Sequence, residues 1–406
     1  MIYRALLLLG LSGSNVFAHL NSMESQTVLM DLSSAQAVSG RILEQDTVLN
    51  LAVTQLTSAQ INKLSDYNHT QNKCAGFEAL PPDEARNPAE VLSQMRKSQE
   101  AMVTLSPLDF RTQVTYDAKL AGLVAQTNPQ TLKDTVTWLS SYHNRYHKSK
   151  TQNKHVEDLK VKLSEWLKGA PWPYTIEMIA HTSTSQNTLK LTIPGTVRPN
   201  EIIILGGHLD SINKLAAIPF IGKDRAPGAD DNASGSSNLI EALKLLKQIP
   251  EFERTVEFYW YAGEEAGLLG SGEVAKASKS KNRNVIGVLQ LDMTLFPGDG
   301  EQVISLVDDF TSPWLNSFVT DLNDVYIKAR LVHNKCGYAC SDHASWNKQG
   351  YHAVMPSESD IKTMNPNIHS ENDVINLQSN FNHSNSYTKI ALLFAAILGN
   401  STIKAP

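Results

Sequence analysis

Apolar residues recur at helical spacing over residues 132–142 and 156–167. Residues 188–193 alternate apolar and polar, as a half-buried strand does. Residues 201–205 form a short run rich in isoleucine, the pattern of a strand buried on both faces. Residues 236–246 read as an amphipathic helix that follows small capping residues. Further strands are expected at 255–261, 285–291 and 352–355, and a closing helix at 386–398. Strands separated by helices predict an α/β fold: a doubly wound, mostly parallel central sheet flanked by helices.

The first quarter of the chain reads differently. Arg4 supplies a positive charge ahead of a short apolar stretch at 5–11, and Val16-Phe17-Ala18 offers small residues for cleavage. Residues 1–18 are therefore expected to be an export signal. Residues 19–112 hold a polar stretch at 67–73, a proline-rich one at 80–88 and only moderate periodicity near 89–95. With no chemical motif among them, they read as an N-terminal pro-segment with a small fold of its own. A retained accessory domain is the other reading. Residues 113–406 then form the catalytic domain. The apolar run at 391–398 has the length of a core helix, so no membrane span is expected after signal removal.

Composition narrows the function. The 406 residues are 41% hydrophobic and 19% charged, with a formal charge of -5 and no long basic run. This is a globular protein large enough for two domains, and nucleic acid is excluded as a partner. Of the three cysteines, Cys336 and Cys340 lie close together and Cys74 stands apart. Export permits a disulfide within the close pair, and two free thiols are the alternative.

The candidate chemistry lies where strands end. His208 follows the strand at 201–205, Glu264 and Glu265 follow the strand ending at 261, and Asp292 ends the strand from 285. In open α/β sheets ligands bind beyond the carboxyl ends of the strands. Asp231 sits in a glycine-flanked turn and His369 in a late polar loop. Imidazole nitrogen and carboxylate oxygen suit zinc. Two zinc ions bring four positive charges; Asp231, Glu265, Asp292 and one hydroxide balance them. One ion is expected to take His208, Asp292 and Asp231, and the other His369, Glu265 and Asp231. Asp231 and a water or hydroxide would bridge them. Asp210, two residues after His208, is placed to accept the free ring N–H of that histidine. Glu264 is left over as a base.

Five segments carry a resemblance to a known family. They are Gly-Gly-His-Leu-Asp-Ser at 206–211, Pro-Gly-Ala-Asp-Asp-Asn-Ala-Ser-Gly at 227–235 and Tyr-Ala-Gly-Glu-Glu-Ala-Gly-Leu at 261–268. The others are Gln-Leu-Asp-Met-Thr at 290–294 and Cys-Gly-Tyr-Ala-Cys-Ser-Asp-His-Ala-Ser-Trp at 336–346. Together they resemble the bacterial leucyl aminopeptidases with co-catalytic zinc, a branch of the wider family of glutaminyl cyclases and transferrin-receptor-like proteins. The resemblance covers roughly residues 128–402. It implies that Asp231 bridges the metals, Glu264 is the general base, Glu265 is a ligand and Tyr338 donates to the developing oxyanion. It also implies a Cys336–Cys340 disulfide and an exported protein with an N-terminal pro-segment. Met293, Met355 and Ile368 match apolar pocket positions. Ser357, Ile361 and Met364 stand where leucine-preferring members have aromatic side chains, and Glu358 and Asp360 lie in the same segment. The expectation is a secreted or periplasmic, monomeric di-zinc aminopeptidase, activated by a processing protease. It would hydrolyse an N-terminal leucine or other apolar residue, with a basic one as a variant. Dipeptidase or glutaminyl cyclase-like activity, or an inactive zinc-dependent peptide-binding protein, are the rival readings.

Overall fold

The computed structural model describes residues 25–71, 73, 76–104, 114–213, 224–298, 300 and 302–400. The expected signal at 1–18, Cys74 and the expected junction at 112–113 lie outside them.

The N-terminal residues fold as a unit. Strands β1 (Ser25–Asp31), β2 (Arg41–Asp46), β3 (Leu51–Thr57) and β4 (Phe77–Ala79) form an antiparallel sheet in the order β2-β3-β1-β4. Helices α1 (Leu32–Ala37), α2 (Ser58–Thr70), α3 (Pro82–Ala85) and α4 (Pro88–Thr104) complete it. Alternation along the strands gives the sheet two apolar faces. Val28, Met30, Ala52 and Leu56 pack with Leu64 of α2 and Phe77. Leu29, Leu51 and Val53 face the other way, onto Val91, Leu92 and Met95 of α4. That second core is not private to the unit. It continues into Leu268, Phe310, Ala339 and Ala344 of the following domain.

The following domain begins with α5 (Ala118–Val124), α6 (Pro129–Ser140) and α7 (Lys154–Trp166). The hairpin β5 (Thr175–Ile179) and β6 (Thr188–Ile193) comes next, then β7 (Arg198–His208), α8 (Ala233–Leu246), β8 (Arg254–Tyr261), α9 (Leu269–Ser280) and β9 (Asn284–Gln290). The chain closes with β10 (Val303–Val307), α10 (Pro313–Leu322), β11 (Arg330–Asn334), α11 (His343–Lys348), β12 (Ala353–Val354), β13 (Pro356–Ser357) and α12 (Phe381–Gly399).

The six-stranded sheet runs β12-β9-β7-β8-β6-β5. Four strands are parallel, and β6 and β5 add an antiparallel edge, so the sheet is mixed. The crossovers through α8 and α9 produce the parallel part, because parallel neighbours need a long connection. The short β5–β6 link needs none. A smaller sheet, β11-β10-β13, stands beside it. Strand β7 is buried on both faces, as its isoleucine run requires. Ile203 and Leu205 meet α8 and α12; Ile202 and Ile204 meet Val274 of α9 and Trp346 of α11. The carboxyl ends of β7, β8 and β9 therefore open at one edge of a rigid, doubly covered sheet.

Candidate metal centre

Each candidate ligand leaves the sheet at that edge. His208 is the last residue of β7. Beyond β8, Gly263 takes φ +60, which favours glycine, and starts a tight turn at Glu264–Ala266. Asp292 lies two residues past β9. Asp231 immediately precedes Asn232, which caps α8 by accepting from the Gly235 N–H at 2.9 Å. The same Asn232 side chain donates to the Leu291 carbonyl at 2.9 Å, tying the Asp231 loop to the Asp292 loop. His369 arrives from the loop before α12.

The side chains converge as two groups sharing Asp231. His208 Nε2 lies 3.0 Å from Asp231 Oδ1 and 3.4 Å from Asp292 Oδ1. His369 Nε2 lies 2.9 Å from both Asp231 Oδ2 and Glu265 Oε2. Within each group the candidate ligand atoms fall within 4.8 Å of one another, and all five residues are buried. Glu264 is fully buried beside them, and neither of its carboxylate oxygens has a hydrogen-bond partner among the described residues. Buried acids of this density require positive charge nearby. Burial pushes the Glu264 carboxyl well above its usual range and raises Glu265 to about 7. Burial works against a charged His208, yet the Asp292 and Glu264 carboxylates hold it well above the ordinary histidine value. Asp231 resists burial through hydrogen bonds to His208 and His369, which hold it low. Histidine and carboxylate donors arranged in this way fit zinc, with one shared carboxylate.

A surrounding layer fixes the donors. Asp210 accepts from the Glu264 N–H at 3.0 Å and the Glu265 N–H at 3.3 Å, which orients the turn. Its carboxylate is 3.5 Å from His208 Nδ1, and its own carbonyl is closer, at 3.2 Å. Three supports were not singled out in the sequence. Ser341 Oγ donates to Asp292 Oδ2 at 2.7 Å. Gln290 donates to Ser341 Oγ and to buried Asp342. Asp373 accepts from the N–H groups of Asp230 and Asp231 at 3.1 and 3.0 Å. Ser341 stands inside the 336–346 segment, and Asp373 four residues after His369, so the only signal was proximity to a motif.

An apolar cavity of about 20 Å³ lies close by, lined by Met293, Met355, Ser357, Ile361 and Met364 together with Val307, Asn334 and both cysteines. Ile368 packs on Met293 and Met364. This volume holds about one water, so a larger side chain must displace the methionines. Neither Glu358 nor Asp360 lines it. Glu358 is buried and accepts from the N–H groups of Phe296 and Asn365, while Asp360 caps the turn at Ile361–Thr363. Cys336 and Cys340 are joined in a disulfide, and Tyr338 is buried between them against Met355 and Val307. Thiol titration of denatured, unreduced residues 114–406 is expected to find no free thiol. Two thiols there would contradict the bridge.

The N-terminal unit reaches this edge. Ser58, Ile61 and Ser65 of α2, with Phe77, face Glu265 and His369 across a cavity of about 180 Å³. Lys73 Nζ stands 5.7 Å from the Tyr338 ring centroid. The Ala79 N–H donates to the Gly267 carbonyl at 3.0 Å. Buried Lys348 of α11 pairs with Glu78 and Glu84, both at 2.6 Å.

Residues 189–393, half of the chain, match the model of peptidase family M28. A probable leucine aminopeptidase of Trichophyton verrucosum is 35% identical over 301 residues, 72% of this chain and 78% of that protein. This chain belongs to peptidase family M28. Leucine aminopeptidase 1 of Trichophyton equinum is 33% identical over 311 residues, 73% of this chain and 81% of that protein. Among solved structures, LapB from Legionella pneumophila superposes with a TM-score of 0.78 at 24% identity, covering 93% of this chain and 100% of that one. At that identity the likeness speaks for the fold, and its span takes in the N-terminal sheet. The M28 match covers β6 to α12, the stretch that supplies all five candidate ligands.

Proposed function

We propose that this M28 peptidase is an exported di-zinc aminopeptidase that removes an apolar residue from the N-terminus of peptides. The observation that carries this is the pair of three-residue groups sharing Asp231, with Glu264 buried alongside and free of hydrogen bonds among the described residues. The curated relatives are described as leucine aminopeptidases, which supports the same reading. His208, Asp231 and Asp292 would hold one zinc, and Asp231, Glu265 and His369 the other. Zinc there supplies Lewis acidity and a water that ionises near neutral pH.

The chain's own groups do the rest. Glu264 takes the proton of the attacking water on a carboxylate oxygen and delivers it to the leaving nitrogen. Both of its carboxylate oxygens lack a hydrogen-bond partner among the described residues, which leaves them open for the two transfers. Tyr338 donates its phenolic O–H to the developing oxyanion, held by the disulfide-closed loop. Asp210 keeps Glu264 and Glu265 oriented through their backbone N–H groups. The methionine-rich pocket takes the first side chain by repacking.

Residues 1–18 act as the export signal and 19–112 as a pro-segment, removed by a separate protease to leave a monomeric enzyme. The side of α2 that faces Glu265 and His369 supports a covering role for that segment. Among the described residues, no helix is long and apolar enough to cross a membrane.

A panel of aminoacyl anilides tests the reading. Leucyl and methionyl substrates are expected to exceed lysyl by about tenfold or more in kcat/KM, since the pocket offers a buried ammonium no carboxylate. Chelation should abolish turnover and zinc should restore it. A lysyl preference would refute the apolar pocket. Activity indifferent to chelator would refute the metal centre. Cyclisation of an N-terminal glutamine without peptide hydrolysis would favour the cyclase alternative.

A further inference from the structure

We propose that Arg145 is a positioning residue of the metal centre: its buried guanidinium holds the loops carrying His208 and Asp231 in register. This rests on the two-metal reading above.

Arg145 follows α6 and is fully buried. Among the described residues no carboxylate comes within ion-pair distance of it. Its donors go to main-chain carbonyls instead. Nε donates to the carbonyl of Leu209, the residue after His208, at 2.8 Å. Nη1 donates to Leu139, the end of α6, at 3.0 Å and to Pro227. Nη2 donates to Gly228 at 2.9 Å. Pro227 and Gly228 open the loop that delivers Asp231. Three of these four guanidinium bonds thus clamp the exit of one ligand to the approach of the bridging one, and the fourth ties both to the end of α6.

The main chain of Arg145 extends the clamp. Its N–H donates to Ser211 Oγ at 3.1 Å, and that hydroxyl donates to the Ala226 carbonyl at 2.7 Å. Its carbonyl accepts from Gln186 Nε2 at 3.0 Å. Gln186 Oε1 in turn accepts from the Gly263 N–H at 3.0 Å, one residue before Glu264. The segments bearing His208, Asp231 and Glu264 therefore share one residue as anchor. Gly228 allows the close approach. It takes φ +52, and a Cβ there would meet Nη2 at 2.7 Å.

Only arginine can fill this place. A planar fork reaches carbonyls on several sides at once, whereas lysine presents its donors from one point. The charge has a second use. Burial lowers the Arg145 pKa to about 10, but Asp373, Asp210, Asp231 and Glu265 oppose that and keep it cationic. One fixed positive charge behind the acids eases their assembly before any metal arrives.

The test uses the full chain, stripped of metal, as wild type, Arg145→Lys and Ser211→Ala. Zinc affinity is measured by competition with a chelating dye, and melting temperature is measured separately. Arg145→Lys keeps the charge but loses the fork. It is expected to weaken zinc binding by about 10–100-fold, the usual loss when an outer support of a metal site is removed. Ser211→Ala should weaken zinc in the same direction by a smaller factor while melting close to wild type. Should Arg145→Lys fail to fold, Ser211→Ala decides alone. Wild-type zinc affinity in the folded variants, with only the melting temperature lowered, would overturn the proposal and leave Arg145 a stability residue. A wild-type protein that binds no zinc would instead refute the metal reading beneath it.

Discussion

Glu264→Gln is expected to keep both zinc ions and lower kcat by at least about 10²–10⁴-fold, the usual worth of a general acid–base group. The side chain is fully buried, and no hydrogen bond among the described residues would be lost with its charge. An amide of the same shape should fit the space, and it cannot accept the water proton. Its neighbour should fail differently. Glu265 Oε2 lies 2.9 Å from His369 Nε2, within the second three-residue group. Glu265→Gln removes a charged donor from that group, so zinc content should fall toward one ion per chain. Both residues sit in one tight turn and are buried alike, so local disruption does not explain a split outcome. Metal analysis beside kcat for the two variants decides it. Loss of zinc in Glu264→Gln, with both ions kept in Glu265→Gln, would reverse the two assignments.

Release of the N-terminal unit is expected to raise kcat/KM on leucyl anilide by on the order of tenfold or more, because a competent state that is rarely open lowers apparent affinity in proportion. Helix α2 and Phe77 face Glu265 and His369, and Lys73 stands over the Tyr338 ring. The unit is expected to compete with a peptide for that edge. It is well seated. Leu29, Leu51, Val53 and Met95 share a core with Leu268, Phe310, Ala339 and Ala344. Lys348 is buried with both of its acidic partners, Glu78 and Glu84, supplied by the unit. Cutting alone is therefore insufficient, and the fragment must also leave. Insertion of a protease site between residues 105 and 113, followed by cleavage and separation of the two pieces, tests this. Activity should rise with dissociation rather than with the cut. Full activity of uncut chain, or loss of activity when the unit is removed, would mean a permanent accessory domain.

Much of the catalytic domain was legible because its pattern is simple. Strands buried on both faces need mostly apolar runs, which is why β8 was found to within one residue of its limits, whereas 201–205 marked only the middle of β7, which runs from Arg198 to His208. The expected helices at 132–142, 156–167 and 236–246 correspond to α6, α7 and α8, whose apolar positions repeat at helical spacing. Strand β5 was not picked out; it is a five-residue edge strand in which no residue is fully buried. The expected strand at 352–355 shrank to Ala353–Val354, because only two residues pair with β9. The four-stranded sheet of the N-terminal unit escaped for another reason. One of its two cores is completed by residues more than 150 positions away.

The five candidate ligands and Glu264 could be named from the chain alone, because strand ends and glycine-rich turns are local features and the residue types there are chemically distinctive. Which atoms meet is not local. That Asp231 stands between two histidines depends on the end of β7, the loop before α8 and the loop before α12 meeting at one edge. The supports from Ser341, Asp373 and Arg145 likewise exist only after folding, because each joins segments distant in sequence. The pocket shows the same division. Sequence put Glu358 and Asp360 beside Ser357 and left a basic preference open, whereas the fold turns Glu358 toward the backbone of Phe296 and Asn365. Periodicity and residue chemistry thus determined the elements and the reactive groups. Packing decided their partners, because hydrogen bonds and burial are satisfied between segments that the linear chain keeps apart.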